Sequence, residues 1–232
     1  MEHSMMISST NVSKWLVLLG LAVVLSACDS SSAEKKAAGS SSSSSAAPSG
    51  ELVFSDDFED GTFRPEWRRG EGENGVGKWA VEEGAVVGVD IKNDPLWLDQ
   101  PLPEKVRVEF DVTALSPVGD IKIEVFGDGN KHESGYILIF GGWKNSLDVI
   151  ARLDEHGQDR KSRETHGVMP GHTYTMAIER TGPTLNWFVN GEHFMAYDDQ
   201  EPLTGDGHRH FAFNIWSAPV KFDNVKVYDL SK

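Results

Sequence analysis

The chain has 232 residues, with 22 Lys+Arg against 36 Asp+Glu and a net charge of −14. Residues 1–50 hold three of each sign (Lys14, Lys35, Lys36; Glu2, Asp29, Glu34), so the rest carries the whole excess. Such an acidic surface repels phosphate backbones and argues against nucleic acid as a partner. Cys28 is the single cysteine, which rules out an intramolecular disulfide and leaves stability to the core and to any bound metal.

The first element in chain order is the apolar run Trp15 to Ala27, preceded by Lys14. It is too short to span a bilayer comfortably and suits a signal-peptide core of about 7–15 residues. It ends in Leu25-Ser26-Ala27-Cys28, which resembles the lipobox of bacterial lipoproteins. That resemblance implies removal of residues 1–27, lipidation of Cys28, and a protein anchored by lipid in the bacterial cell envelope, outside the cytoplasm. The alternative is an ordinary secretory signal with an incidental cysteine. Asp29 resembles an inner-membrane retention signal of enteric bacteria, a rule that does not hold in all bacteria, so the choice of membrane stays open. Residues 28–50 are rich in Ser and Ala, with an unbroken serine run from Ser40 to Ser45. Such a stretch offers too little apolar surface to offset its own ordering and reads as a flexible linker.

Residues 51–232 read as one domain built of strands. Val106 to Val112 alternates apolar and charged residues without a fault, and Ile121 to Phe126 repeats the pattern. Tyr136 to Phe140 is apolar on both faces, as a strand covered on both sides would be. Further strands are predicted over Leu147–Leu153, Tyr174–Arg180, Leu185–Val189, Phe211–Ser217 and Val225–Tyr228. Gly- and Pro-containing turns separate them, and Asn190-Gly191 predicts a tight type I′ hairpin, because both central positions need positive φ. No amphipathic helix is apparent; at most a turn or two falls near Arg64 to Trp67. The expected fold class is all-β, an antiparallel two-sheet jelly-roll sandwich.

Phe54-Ser55-Asp56-Asp57-Phe58, the pair of strands around Trp79 to Val86, Leu185-Asn186-Trp187-Phe188-Val189-Asn190-Gly191 and Phe222-Asp223-Asn224-Val225 resemble the concanavalin A-like lectin/glucanase superfamily. Within it, the chain is most similar to laminin-G-like modules and to 3-keto-disaccharide hydrolase-like domains. The resemblance covers residues 52–230, implies adjacent first and last strands, and is specific for fold rather than function. It also implies a structural Ca²⁺ near the chain ends. Asp56, Asp57 and Asp223 are its candidate ligands, with turn capping by the same carboxylates as the competing reading.

For carbohydrate, the candidates are aromatic. Trp143 lies in the turn Gly141-Gly142-Trp143-Lys144-Asn145, and Trp216 shares the non-core face of its strand with Asn214. Exposed aromatic faces stack on sugar rings while planar polar groups take the hydroxyls. The expected surface is Trp143, Trp216, Asn145, Asn214, Glu124 and Arg152. Arg107, Glu109, Asp111, Lys122, Glu124, Asp148 and Arg152 form either a charged platform or a solvated face. The laminarinase-type E-x-D-x-x-E motif is absent, and Asp120 and Glu124 on one strand stand about 13 Å apart, too far for the pair of a retaining glycosidase. His208-Arg209-His210 reads as a polar turn rather than a metal site.

Three functional readings follow. The leading one is a non-catalytic glycan-binding module on a membrane-anchored lipoprotein. The others are a carbohydrate-active hydrolase of the 3-keto-disaccharide type and a structural or protein-interaction module of the envelope. An enzyme requires two acids, or an acid beside a metal, converging near Trp143 and Trp216; a lectin shows the aromatics without them.

Overall fold

The computed structural model describes residues 50–70, 77–165 and 167–232; Cys28 and nearly all of the expected linker lie outside the described residues. The strands, in chain order, are β1 (Glu51–Asp56), β2 (Trp67–Arg69), β3 (Lys78–Glu82), β4 (Ala85–Val89), β5 (Leu96–Leu98), β6 (Val106–Ala114), β7 (Ile121–Gly127) and β8 (Tyr136–Gly141). They continue with β9 (Leu147–Arg152), β10 (Lys161–Glu164), β11 (Thr173–Arg180), β12 (Thr184–Val189), β13 (Glu192–Asp198), β14 (His210–Ile215) and β15 (Val220–Asp229). The helical element among the described residues is a single turn, Gly142–Asn145.

The strands form two antiparallel sheets. One has the order β13-β12-β11-β6-β15-β4-β3, with β1 also paired to β15; the other runs β10-β9-β8-β7-β14-β5-β2. The ten residues of β15 let its first part pair with β4 and its second with β1, so the first and last strands are neighbours and Phe54 lies opposite Val227. The Asn190-Gly191 hairpin has φ of 52° and 80°, as the turn type demands.

Alternation decides which side chains fill the space between the sheets. Val106, Val108, Phe110 and Val112 of β6 face Phe211, Phe213 and Ile215 of β14 in one core cluster, all nearly inaccessible to solvent. Phe213 stacks on Phe222 of the opposite sheet at 4.1 Å between centroids, and Trp67 stacks on Phe213 at 5.6 Å. Each such ring, fully buried, stabilises the fold by about 1.5–3 kcal/mol. Trp79 and Trp187 are buried, in keeping with their place in the strand patterns.

The outer face of the seven-stranded sheet departs from simple alternation. Ile137, Ile139, Val149 and Ala151 point away from the main core yet are buried in a second small cluster, against which Trp143 and Leu147 pack. This explains why β8 reads as apolar on both faces: a roof covers its outer side. The roof is also where the candidate site lies. The charged platform does not exist as one surface. Arg107, Glu109 and Asp111 belong to β6 in the other sheet, where Arg107 pairs with Glu109 and Glu179 at 2.7 and 3.1 Å. Asp148 is buried and accepts a hydrogen bond from the Gly141 backbone at 3.0 Å, within 3.9 Å of Arg163.

Candidate functional site

A cavity of about 760 Å³ opens on the outer side of the seven-stranded sheet. Lys122 of β7 and Ile139 of β8 form its floor, with walls from the turn after β8, the β9–β10 loop and the segment after β14. Trp143 and Trp216 both line it.

The turn carrying Trp143 is unusual. Trp143, Lys144 and Asn145 have φ of 50°, 60° and 62°. Left-handed backbone costs a non-glycine residue roughly 1–2 kcal/mol, so neighbouring structure must hold it. Asn145 does so: its amide donates to the Pro117 and Val168 carbonyls at 3.2 and 2.9 Å and accepts from Val168 N at 2.8 Å. The turn sets Trp143 half-buried over the small apolar cluster, with Arg160 4.8 Å over the indole and His156 edge-on at 5.7 Å. Trp216 is 39 % exposed and has Lys122 and Lys92 at 5.4 and 5.9 Å from its ring.

Around these rings lies a buried polar network. Lys122, 2 % exposed, donates to Asn93 Oδ1 at 2.9 Å and to Glu155 Oε2 at 2.6 Å. Glu155 N donates to Glu133 Oε1 at 2.8 Å, which ties the β9–β10 loop to the β7–β8 loop. His132 Nδ1 lies 2.7 Å from Glu124 Oε1, and its Nε2 is buried without a hydrogen-bond partner, 3.7 Å from Glu155 Oε2. Asp120 completes the rim; burial pushes its carboxyl from 3.8 up to about 6, with Glu155 adding to the shift and Lys122 opposing it. Burial opposes the charged form of His132, but the bond to Glu124 and that residue's charge prevail and hold the imidazole above its usual value.

Ligand atoms of His132, Glu133 and Glu155 all fall within 4.8 Å of one another, close enough to hold a metal ion. Among the described residues, Asp56, Asp57 and Asp223 do not form such a group. Asp56 accepts from Phe58 N at 3.0 Å and from Trp67 Nε1 at 2.8 Å, so it closes a turn and anchors a core ring. Asp57 and Asp223 accept from the backbone N–H of Glu59 and Asn224.

The structure therefore gathers Trp143 and Trp216 and gives the other expected residues different surroundings. Glu124 and Asn214 are fully buried and do not line the cavity; a 2.8 Å hydrogen bond joins them. Arg152 pairs with Asp199 at 2.8 Å and donates to the Glu201 carbonyl, away from the cavity. Asn145 holds the turn rather than lining the cavity. His132, Glu133 and Glu155 were not legible as a group, because two loops 22 positions apart bring them together. The one local signal was an adjacent His-Glu and Glu-His in two inter-strand loops, too common to act on.

This is a concanavalin A-like sandwich with a polar cavity on the outer face of one sheet. The chain belongs to the family of 3-keto-alpha-glucoside-1,2-lyase-like domains, whose model matches residues 26–228. Among solved structures it is similar to the carbohydrate-binding module CBM66 from Bacillus subtilis, at 16% identity and a TM-score of 0.57, covering 71% of this chain and 96% of that one. It is also similar to a Bacillus licheniformis beta-glucanase, at 13% identity and a TM-score of 0.56, covering 78% and 99% of the two chains. At these identities the likeness speaks for the fold. No curated protein matches it significantly in sequence.

Proposed function

We propose that the domain is a carbohydrate-active enzyme, a lyase that acts on glucosides carrying a ketone at C3. The observation that carries this reading is the convergence of Asp120, Lys122, Glu133 and Glu155 with two tryptophans on one cavity. Closely spaced ionisable groups in a cleft, among them an Asp120 whose carboxyl is pushed up to about 6, suit catalysis better than binding alone. The family description supplies the reaction class.

The chemistry follows from the ketone. A carbonyl at C3 acidifies the proton on C2. A base removes that proton, and the C–H electron pair forms an enolate with its charge on the C3 oxygen. The ketone then re-forms, a C1=C2 double bond appears, and the C1–O bond breaks toward the leaving alcohol, which takes up a proton. Asp120 is the base, since desolvation makes it a stronger base than an exposed carboxylate while leaving it ionised near neutral pH. Lys122 donates hydrogen bonds to the developing oxyanion in a water-poor site. Trp143 and Trp216 stack on the sugar ring.

His132, Glu133 and Glu155 hold a divalent cation in this reading. The buried His132 Nε2, which has no hydrogen-bond partner, would serve as the nitrogen ligand. One imidazole with two carboxylates suits a first-row transition ion better than Ca²⁺, which prefers all-oxygen shells. Such an ion supplies Lewis acidity toward a substrate oxygen. The lipobox-like run ending at Cys28 and the Ser-rich stretch after it support a reading in which the domain is tethered to the envelope.

A 3-keto glucoside mixed with the protein should yield the free alcohol and an ultraviolet-absorbing enone, while the unoxidised glucoside stays intact. Lys122→Met and Asp120→Asn should each abolish the enone. Saturable binding of glucosides by wild type, without turnover of the ketone, would favour the alternative of a glycan-binding module, to which the exposed ring of Trp216 lends support.

A further inference from the structure

The buried carboxylate beside Lys122 on the outer face of β7 has a task that its position makes legible. Glu124 is fully buried. Its Oε1 lies 2.7 Å from His132 Nδ1 and 2.8 Å from Asn214 Nδ2, and its Oε2 accepts from Glu133 N at 3.2 Å. Asn214 Oδ1 accepts from Ile215 N at 2.9 Å, which fixes the amide so that its NH₂ faces Glu124. A carboxylate only accepts hydrogen bonds, so the imidazole presents Nδ1–H to it at 2.7 Å, and this contact outweighs the longer 3.3 Å approach of Asn214 Nδ2 to the same nitrogen. In the neutral ring Nε2 is then the lone-pair nitrogen, and Nε2 is the atom near Glu155.

We infer that Glu124 is a positioning residue: it locks His132 in the Nδ1–H tautomer with Nε2 aimed at Glu155, and it holds the backbone of Glu133 in place. One carboxylate thereby sets two of the three residues whose ligand atoms converge. Glu133 has φ of 62°, an unfavourable conformation for a non-glycine residue, and the bond from its N–H to Glu124 helps to keep it there. Outer carboxylates that orient a ligand histidine raise metal affinity about 10–100-fold in other proteins. Only the metal arm of this inference rests on the cation reading above.

The test uses protein labelled with nitrogen-15 at histidine, with the His132 signals assigned by comparison with His132→Gln. At a pH where the ring is neutral, wild-type His132 should carry its proton on Nδ1. Glu124→Gln, a neutral and weaker acceptor of nearly the same shape, should let the ring sample both tautomers. Mn²⁺ binding, followed by electron paramagnetic resonance, should weaken about 10–100-fold in the same variant. A wild-type ring protonated on Nε2 would overturn the inference, and this measurement needs no variant to fold. So would a Glu124→Gln protein whose tautomer and Mn²⁺ affinity both match wild type. If wild type binds no Mn²⁺ yet shows the Nδ1–H tautomer, the positioning role stands and the cation reading fails.

Discussion

At the scale of single residues, the site turns on how burial and partners change the meaning of a side chain. Asp120 directly precedes β7 and Glu124 lies within it, and both read as carboxylates on its outer face. One ends on the cavity rim with a raised pKa; the other ends buried under His132 and Glu133 with both oxygens engaged. The shift of Asp120 has a definite sign in stability. Its folded value of about 6 lies above the ordinary 3.8, so the folded state holds the proton more tightly. Its contribution therefore becomes less favourable as pH rises from about 4 to 6. Asp120→Asn should thus be at least as stable as wild type at pH 7 in denaturant titrations while losing turnover. The wild-type rate on a 3-keto glucoside should climb through about pH 6 as the base ionises. A flat rate profile across that range would remove Asp120 from the role of base.

At the scale of elements, the strands are ordinary and the connections are not. β7 and β8 pair in regular register, whereas the turn after β8 runs through three left-handed non-glycine residues. Asn145 links this turn to the loops at Pro117 and Val168 through three hydrogen bonds, and Asn tolerates the left-handed region better than most residues. Asn145→Ala should therefore cost about 2–3 kcal/mol, from partners left unsatisfied and a less suitable backbone residue. That corresponds to a drop in melting temperature of roughly 4–12 °C for a domain of this size. The variant should also bind sugar less well, because Trp143 loses its support. A melting temperature within a degree of wild type would show that the turn is held by something else. Trp143, which reads from its glycine-rich surroundings as a free aromatic, packs with Leu147 against a small cluster of four buried residues; its stacking face and its packing role are not separable by simple truncation.

At the scale of the whole domain, the design is a sandwich with an apolar interior between its sheets and a polar cavity on the outer face of one of them. The long strand β15 closes the fold by meeting β6 on one side and β4 and β1 on the other. With no disulfide available, this pairing and the aromatic stack between the sheets hold the first and last strands of the domain together. The anchoring expected at Cys28 is tested on the full chain: Cys28→Ala should leave the membrane fraction or stall in processing. A variant that fractionates and matures like wild type would refute the lipid anchor.

Local pattern was enough for what depends on nearest neighbours along the chain. Period-2 alternation in residues 106–112 and 121–126 marked strands and their buried faces, because a pleated strand sorts side chains by parity. The Asn190-Gly191 turn was legible for the same reason, because a few residues in fixed order carry it, whereas the pairing of first and last strands followed from the resemblance to the superfamily. The short strands β2, β5 and β10 were not legible, since three or four residues are too few to show a period. The site lay further out of reach. Parity says that Lys122, Glu124 and Asn214 leave the core, but not that loops from elsewhere bury all three and bring His132 to Glu124 and Glu155 to Lys122. Which outward side chain ends buried, paired or open to a ligand is set by what crosses above the sheet, and that contact exists only once both sheets and their loops are assembled.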